Sequence, residues 1–444
     1  MKLPEKPPSD KELSEALAEP STKNKLEELK PYLDAVNAKY LHWNDILLRY
    51  HIQLTRKDLR LLWSYANLTR EYNTRPIIIG DTTLRYVQTP QVEKTLHNLD
   101  MQIGGKIVLE EELSSNVLKK KYLINSLMEE AIASSQLEGA VTTREVAKKM
   151  LREDRKPRNE SEQMIYNNYV TMKYIRNHTQ TKQPLTLDTI REIHKRITND
   201  TLKDKKFEGT FRTNNEIRVF SRDDGTELYN PPDYQKINNL LEQVCKFANN
   251  DSSEYYLHPL IKAIVLHYMV GYIHPFEDGN GRTARALFYW YILSQGYDYL
   301  EYIAISTVIK SAPVKYTMAY LYSEYDHNDV TYFVLFNLRA LHIALDLFKR
   351  YINKTKAENQ KILETIRYDQ KLNFRQADVI IIMSKSSRRM TIGEMQERYH
   401  ITYQTARTDL LNLVKLGYMH KITIDRKFLF ELDKEKCLTA MNPR

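Results

Sequence analysis

Cysteine is nearly absent, with only Cys245 and Cys437 in 444 residues. That excludes a disulfide framework and a cysteine-built zinc site. Glycine is scarce at 12, and proline stands at 15. With so many Leu, Lys and Glu residues, this speaks against a glycine-rich barrel or collagen-like rod and for helix. Long apolar runs are missing too. The strongest, Ala263 to Ile273, contains His267 and falls short of the ~20 residues that span a bilayer, so no membrane partner is expected. The opening Met1-Lys2-Leu3-Pro4-Glu5-Lys6-Pro7-Pro8 has no apolar core; no signal peptide is read there, and a cytoplasmic location is expected. The histidines include no H-E-x-x-H zinc pattern. The net charge of +9 rules out histone-like saturation but leaves room for a local basic patch.

Apolar residues make up 42% of the chain, enough for ordinary cores, and the length suits two to four domains at roughly 150 residues each. The first thirty or so residues are rich in proline and charge and read as loose. A helical, aromatic region follows from about Tyr32 to Asp100, with turn signals at Asn73-Thr74-Arg75-Pro76, Gly80-Asp81 and Gly104-Gly105. The pattern is helical again from Glu111 to about Asn177, with Leu123, Ile124, Leu127, Ile132 and Leu137 as an apolar stripe. Thr142-Thr143-Arg144-Glu145 has capping-box form, so one helix should end near Gly139 and another start near Thr143. Another helix is read over Asp188 to Ile197.

Residues 209–232 break the trend. Short alternating segments around Asp223-Asp224-Gly225 read as a β-hairpin flap. Pro259 then opens a helix that is apolar nearly all round, a core helix. It must stop near His274, because Pro275 disfavours helical geometry in the residue before it. The next helix starts near Gly281 and ends at Gly296.

The turn between these two helices reads His274-Pro275-Phe276-Glu277-Asp278-Gly279-Asn280-Gly281-Arg282-Thr283-Ala284-Arg285. Gly279 and Gly281 let the backbone aim successive N–H groups at one point, an anion-binding nest. A helix N-terminus adds free N–H groups and partial positive charge. Arg282 and Arg285, three apart, can face one ligand. Asp278 is a hard oxygen ligand suited to Mg²⁺ on phosphates. His274 can act as a base near neutral pH, and Phe276 should anchor the turn. Together these parts suit a polyphosphate–metal complex attacked by a hydroxyl.

This stretch resembles the signature of the Fic family, His-x-Phe-x-(Asp/Glu)-Gly-Asn-(Gly/Lys)-Arg-x-x-Arg, at every fixed position. His258-Pro259-Leu260-Ile261-Lys262-Ala263 and the Phe211 to Pro232 flap also look like parts of that fold. The resemblance implies transfer of AMP from ATP to a Ser, Thr or Tyr hydroxyl of a protein. It makes His274 the catalytic base and Asp278 the Mg²⁺ ligand. Gly279, Asn280 and Gly281 would hold phosphates, Asn280 also through its side chain. Arg282 would contact the β-phosphate and Arg285 the γ-phosphate. Thr210, Phe211, Arg212 and Val219 would form the flap edge on which the target docks by strand addition.

Ser134-Ser135-Gln136-Leu137-Glu138-Gly139 resembles the family's inhibitory motif, (Ser/Thr)-x-x-x-Glu-(Gly/Asn). Ser134 and Glu138 lie one helical turn apart. The resemblance pairs Glu138 with Arg285, Gly139 closing the motif, so that ATP binds nonproductively. Removal of AMP, with the same glutamate placing a water, is the nearest rival, and other transferable groups such as UMP, GMP or phosphocholine stay open. A homodimer and self-modification are implied by resemblance alone.

Near the C-terminus, Thr391-Ile392-Gly393-Glu394 starts a helix over Ile392 to Tyr399, and a second runs from Tyr403 to Leu416. Met419 to Glu431 then alternates as a small hairpin around Asp425-Arg426. This is the order of a winged helix-turn-helix. Between Lys371 and Glu431 there are 11 basic and 6 acidic residues, as DNA contact would want. Tyr403, Gln404, Thr405, Arg407 and Thr408 are the groove-facing candidates, and protein docking is the alternative. His194, His267, Trp43, Trp63 and Trp290 read as packed core residues.

The expectation is a mainly α-helical protein. An N-terminal helical extension over 1–110 precedes a Fic core over 111–350, with an inhibitory helix near 122–139 and a small β-hairpin flap. A winged helix-turn-helix follows over 365–435. The expected function is a self-inhibited protein adenylyltransferase using ATP and Mg²⁺. A DNA-binding regulator whose Fic-like core only senses nucleotide is the alternative from another class.

Overall fold

The computed structural model describes residues 2–18, 22–104, 116–221, 224–250, 255–368, 371–385, 389–424 and 427–439. The helix start expected at Glu111, together with Gly105, Asp223, Asp425 and Arg426, lies outside them. The described residues are mainly helical, with three small antiparallel sheets. They form two compact units, one of residues 2–104 with 126–344, the other of 116–125 with 345–439.

In the first unit, the N-terminal region is more ordered than its composition suggests. Helices Asp10–Ala18 and Thr22–Lys39 pack on Arg56–Tyr72. Leu13, Leu29 and Val36 are buried there with Trp43 and Trp63. Spaced apolar residues overrode the prolines and charges, because burial against a neighbour outweighs local propensity. The stretch expected to be helical to Asp100 is interrupted by a hairpin, Thr74–Ile79 with Thr82–Val87, turning at Gly80 and Asp81. Ile77, Ile79, Leu84 and Tyr86 supply its buried face.

The core is a helical pair. Pro259–Ile273 is buried almost all round, and Asn280–Ser294 packs along it. Glu160–Thr179 and Leu187–Thr198 pack against the latter. The helix Asn116–Leu137 ends as expected before Gly139, whose φ is +99°. The following N-cap is Thr143, one residue later than a Thr142 box requires; its side chain accepts from Val146 N–H. The stretch Thr331–Ile362 of the helix Thr331–Tyr368 is long and apolar enough to cross a membrane by composition, and 61% of its most apolar window is buried, as in a core helix.

In the second unit, Phe374–Lys385, Ile392–Tyr399 and Tyr403–Lys415 pack on a sheet of Met390–Thr391, Lys427–Leu432 and Met419–Ile424, in that spatial order. The Thr391–Glu394 capping box is formed. Val379, Ile380, Met395, Leu410, Leu413 and Phe430 make its core.

Candidate active site

The turn after Pro259–Ile273 is built from inside. His274 caps the helix in a left-handed conformation (φ 48°, ψ 59°), which costs a non-glycine residue roughly 1 kcal/mol. Phe276 is fully buried and stacks flat on His194, ring centroids 3.6 Å apart. Asn280 closes the loop: Phe276 N–H donates to its Oδ1 at 2.9 Å, and its Nδ2 donates back to Phe276 O at 2.8 Å. That amide thus holds the loop, and the expected side-chain contact from Asn280 to phosphate would use its second Nδ2–H.

His194, expected to be structural, is a clamp. Gly209 N–H donates to its Nδ1 at 3.0 Å, and its Nε2–H donates to Asp278 O at 2.8 Å. Both bonds require the neutral ring, and burial pushes its pKa down to about 4. Gly279, at φ +84°, leaves no room for a Cβ, which would meet Thr198 and His194. His267 is a core residue as expected, its Nε2 2.8 Å from Tyr316 Oη, and Trp43, Trp63 and Trp290 are buried.

The imidazole of His274 approaches Gly271 O through Nδ1 at 3.3 Å. An Nδ1–H donor there leaves Nε2 with its lone pair. Burial holds the ring pKa below its usual value, so the ring is neutral and basic near neutral pH. His274, Gly281, Arg285 and Glu138 line one cleft of about 340 Å³. Arg282 is buried; its Nη2 lies 3.3 Å from Asp278 Oδ2, whose side chain stays 63% exposed. Among the described residues no group of three or more His, Cys, Asp and Glu forms a metal cage. One exposed carboxylate beside a phosphate nest suits Mg²⁺, which takes most of its ligands from phosphate and water.

Arg285 is also buried. Its Nε donates to Ser134 Oγ at 2.9 Å, and its Nη2 to Ser134 O at 3.0 Å and to Glu138 Oε1 at 2.8 Å. The helix Asn116–Leu137 thus delivers Ser134 and Glu138 to one guanidinium. Its Glu130 is fastened one turn earlier to Ser306 N–H and Tyr289 Oη.

The flap is smaller than expected, a pairing of Val219–Phe220 with Glu227–Tyr229. Val219 lines the cleft with Phe220 and Tyr229. Phe211 and Arg212 lie outside the paired strands of the flap. Phe211 is buried against Phe276, and Arg212 is 3% exposed with its N–H donating to Pro275 O at 2.8 Å. Of the backbone groups here, Thr210 N–H donates to Phe207 O and Arg212 N–H to Pro275 O. Thr210 is exposed but bonds back to Lys206 O. The opposite wall, Tyr316, Tyr320 and Glu324 on helix Pro313–Tyr325, went unread; its only signal is their four-residue spacing. In the other unit, Tyr403, Gln404, Arg407 and Thr408 project from the helix Tyr403–Lys415 as exposed residues, while Thr405 is half-buried.

A sequence model of the Fic/DOC family matches residues 184–292. The chain is 33% identical over 128 residues to protein adenylyltransferase Fic of Drosophila melanogaster, covering 29% of this chain and 24% of that protein. With the Drosophila persimilis protein of that name it shares 26% identity over 276 residues, 56% of this chain and 51% of the other. The alignment thus spans a quarter to a half of these relatives' length. A solved Fic family protein from Desulfovibrio desulfuricans G20 matches the fold with a TM-score of 0.52 at 19% identity, over 78% of this chain and 97% of that one. With its motif turn, helical core and flap assembled as one site, residues 184–292 of this chain form a Fic/DOC-type domain.

Proposed function

We propose that the chain is a protein adenylyltransferase that moves AMP from ATP to a hydroxyl on a protein and is restrained by its own Glu138. The observation that carries this is the His274 ring in the same cleft as Gly281 and the buried Arg285. In this reading the target hydroxyl gives its proton to His274 Nε2 while its oxygen attacks the α-phosphorus. The bond to the bridging oxygen of the β-phosphate breaks, and pyrophosphate leaves. Backbone N–H groups at 279–281 stabilise charge on the phosphates where it develops. Asp278 would hold Mg²⁺, whose charge neutralises the triphosphate. Arg282 sits beneath Asp278, and Arg285 would take the terminal phosphate. The strand Val219–Phe220 offers an edge for the target segment.

Glu138 supports the brake. A carboxylate on Arg285 and over Gly281 stands where a terminal phosphate would be held. The test is Glu138→Gly with ATP labelled at the α or the γ position. Label on protein from the α position alone, lost in His274→Ala, is the expected result. Transfer of the γ label, or no gain over the native chain, sinks the reading.

For the second unit we infer contact with DNA through the exposed Tyr403, Gln404 and Arg407. A mobility shift that weakens with salt and is lost in Arg407→Ala is expected. No binding at low salt dismisses it.

A further inference from the structure

Arg212 makes an unusual set of bonds for a buried cation. Its Nε donates to His274 O at 2.9 Å, and its Nη1 to Asn214 O at 2.8 Å. Its Nη2 donates to Pro232 O. Asn214 is where the chain enters the flap, and Pro232 is where it leaves. One planar group therefore holds both feet of the flap and the carbonyl of the residue that carries the base. Asn215 tightens the same neck, its Oδ1 accepting from Arg212 Nη1 at 3.3 Å and from Tyr234 N–H at 2.8 Å.

The acceptors explain how the charge is tolerated. The His274 carbonyl ends the helix Pro259–Ile273, where helix carbonyls leave partial negative charge. Asp233 and Glu277 add attraction nearby. Burial still lowers the pKa of the guanidinium from its ordinary value. Only arginine offers donors in a fixed planar fork that reaches three carbonyls at once; lysine is a mobile point charge.

We propose that Arg212 is a positioning residue: it fixes the register between the flap, which would present the target hydroxyl, and the His274 ring that would accept its proton. This rests on the transfer reading above for its chemistry, though not for its geometry. Without the fork, the flap and the catalytic turn move independently, and a reacting pair displaced by about 1 Å loses on the order of a hundredfold in rate.

The experiment places Arg212→Lys and Arg212→Met in the Glu138→Gly chain. Folding is checked by thermal melting and ATP·Mg²⁺ affinity by calorimetry. The expected result is a fall in kcat for protein labelling of roughly a hundredfold in both variants, with ATP affinity held within about threefold. Lysine should fail to rescue, because charge without the fork does not bridge the feet. Full activity in Arg212→Lys, or equal loss of kcat and ATP affinity, overturns the proposal. Hydrogen exchange supplies a readout independent of activity. In Arg212→Met the amides of residues 219–220, 227–229, 274 and 276 should lose protection together. A flap that loosens while the 274–276 turn keeps its protection also overturns it. If the Glu138→Gly parent itself fails to label, the transfer reading falls, and the exchange result alone decides for Arg212.

Discussion

The carboxylate of Glu138 lies directly against Gly281. A Cβ built on that glycine would collide with Glu138 Oε1 and stand 3.0 Å from its Cδ. The helix N-terminus that would receive a phosphate is thus covered by a side chain arriving from 143 residues earlier, between residues 138 and 281.

Gly281→Ala tests that closeness. Its methyl group would displace Glu138 but also bar a phosphate from the same surface. In the Glu138→Gly chain, Gly281→Ala should weaken ATP binding by roughly tenfold or more, about the worth of a charge-assisted hydrogen bond. Calorimetry decides: unchanged affinity would mean that phosphate does not approach residue 281.

Ser134→Ala should loosen the brake in part. It removes the Oγ that accepts from Arg285 Nε but keeps the Ser134 carbonyl and Glu138. Labelling should rise above the native chain yet stay below Glu138→Gly, with a stability loss of about 1–2 kcal/mol. Labelling equal to the native chain would show that Glu138 alone fixes Arg285.

Phe276→Ala should cost about 3–5 kcal/mol and loosen the loop, because the ring is sealed between His194 and Phe211. Chemical denaturation measures the loss. A cost under about 1 kcal/mol would mean that the Asn280 amide bonds suffice to hold the turn.

Stability should respond to pH through Glu324. Its Oε2 is buried without a hydrogen-bond partner among the described residues, and burial pushes the carboxyl up from 4.5 to about 8. The folded chain therefore binds this proton more tightly than the unfolded chain. The stability it contributes is full below about pH 4.5 and is lost as pH rises through about 8. Glu324→Gln should match the native chain near pH 5 and exceed it by order 2–4 kcal/mol near pH 8. Equal differences at both pH values would show that the carboxyl reaches water. The buried rings of His42, His194 and His267 act oppositely. Their pKa values, about 3, 4 and 3, lie below the unfolded 6.5, so their contribution is lost as pH falls beneath that value.

Where one residue type in one place can do one job, the sequence was legible. Pro275 set the end of a core helix at His274, and Gly279 marked the left-handed entry to the next. The Ser134–Glu138 spacing put both groups on one helix face, and the family resemblance named Arg285 as the partner of Glu138, to which the structure bonds both. What stayed hidden depends on distant partners. Nothing near Arg212 in sequence says that it will reach His274 and Pro232. The Asn280 side chain turns inward because Phe276 offers both a donor and an acceptor. Glu324 meets the cleft only once helix Pro313–Tyr325 is laid along it. At the N-terminus, prolines and charges concealed Leu13 and Leu29, whose burial draws that segment into helix.

The mutual bonds between Phe276 and Asn280 have a bearing on affinity. They shape the loop from beneath, with protein atoms alone, so a nucleotide arriving at its outer surface has little backbone entropy to quench. Binding strength at such a site should vary little with temperature-driven loop motion and depend chiefly on the charge of the guest.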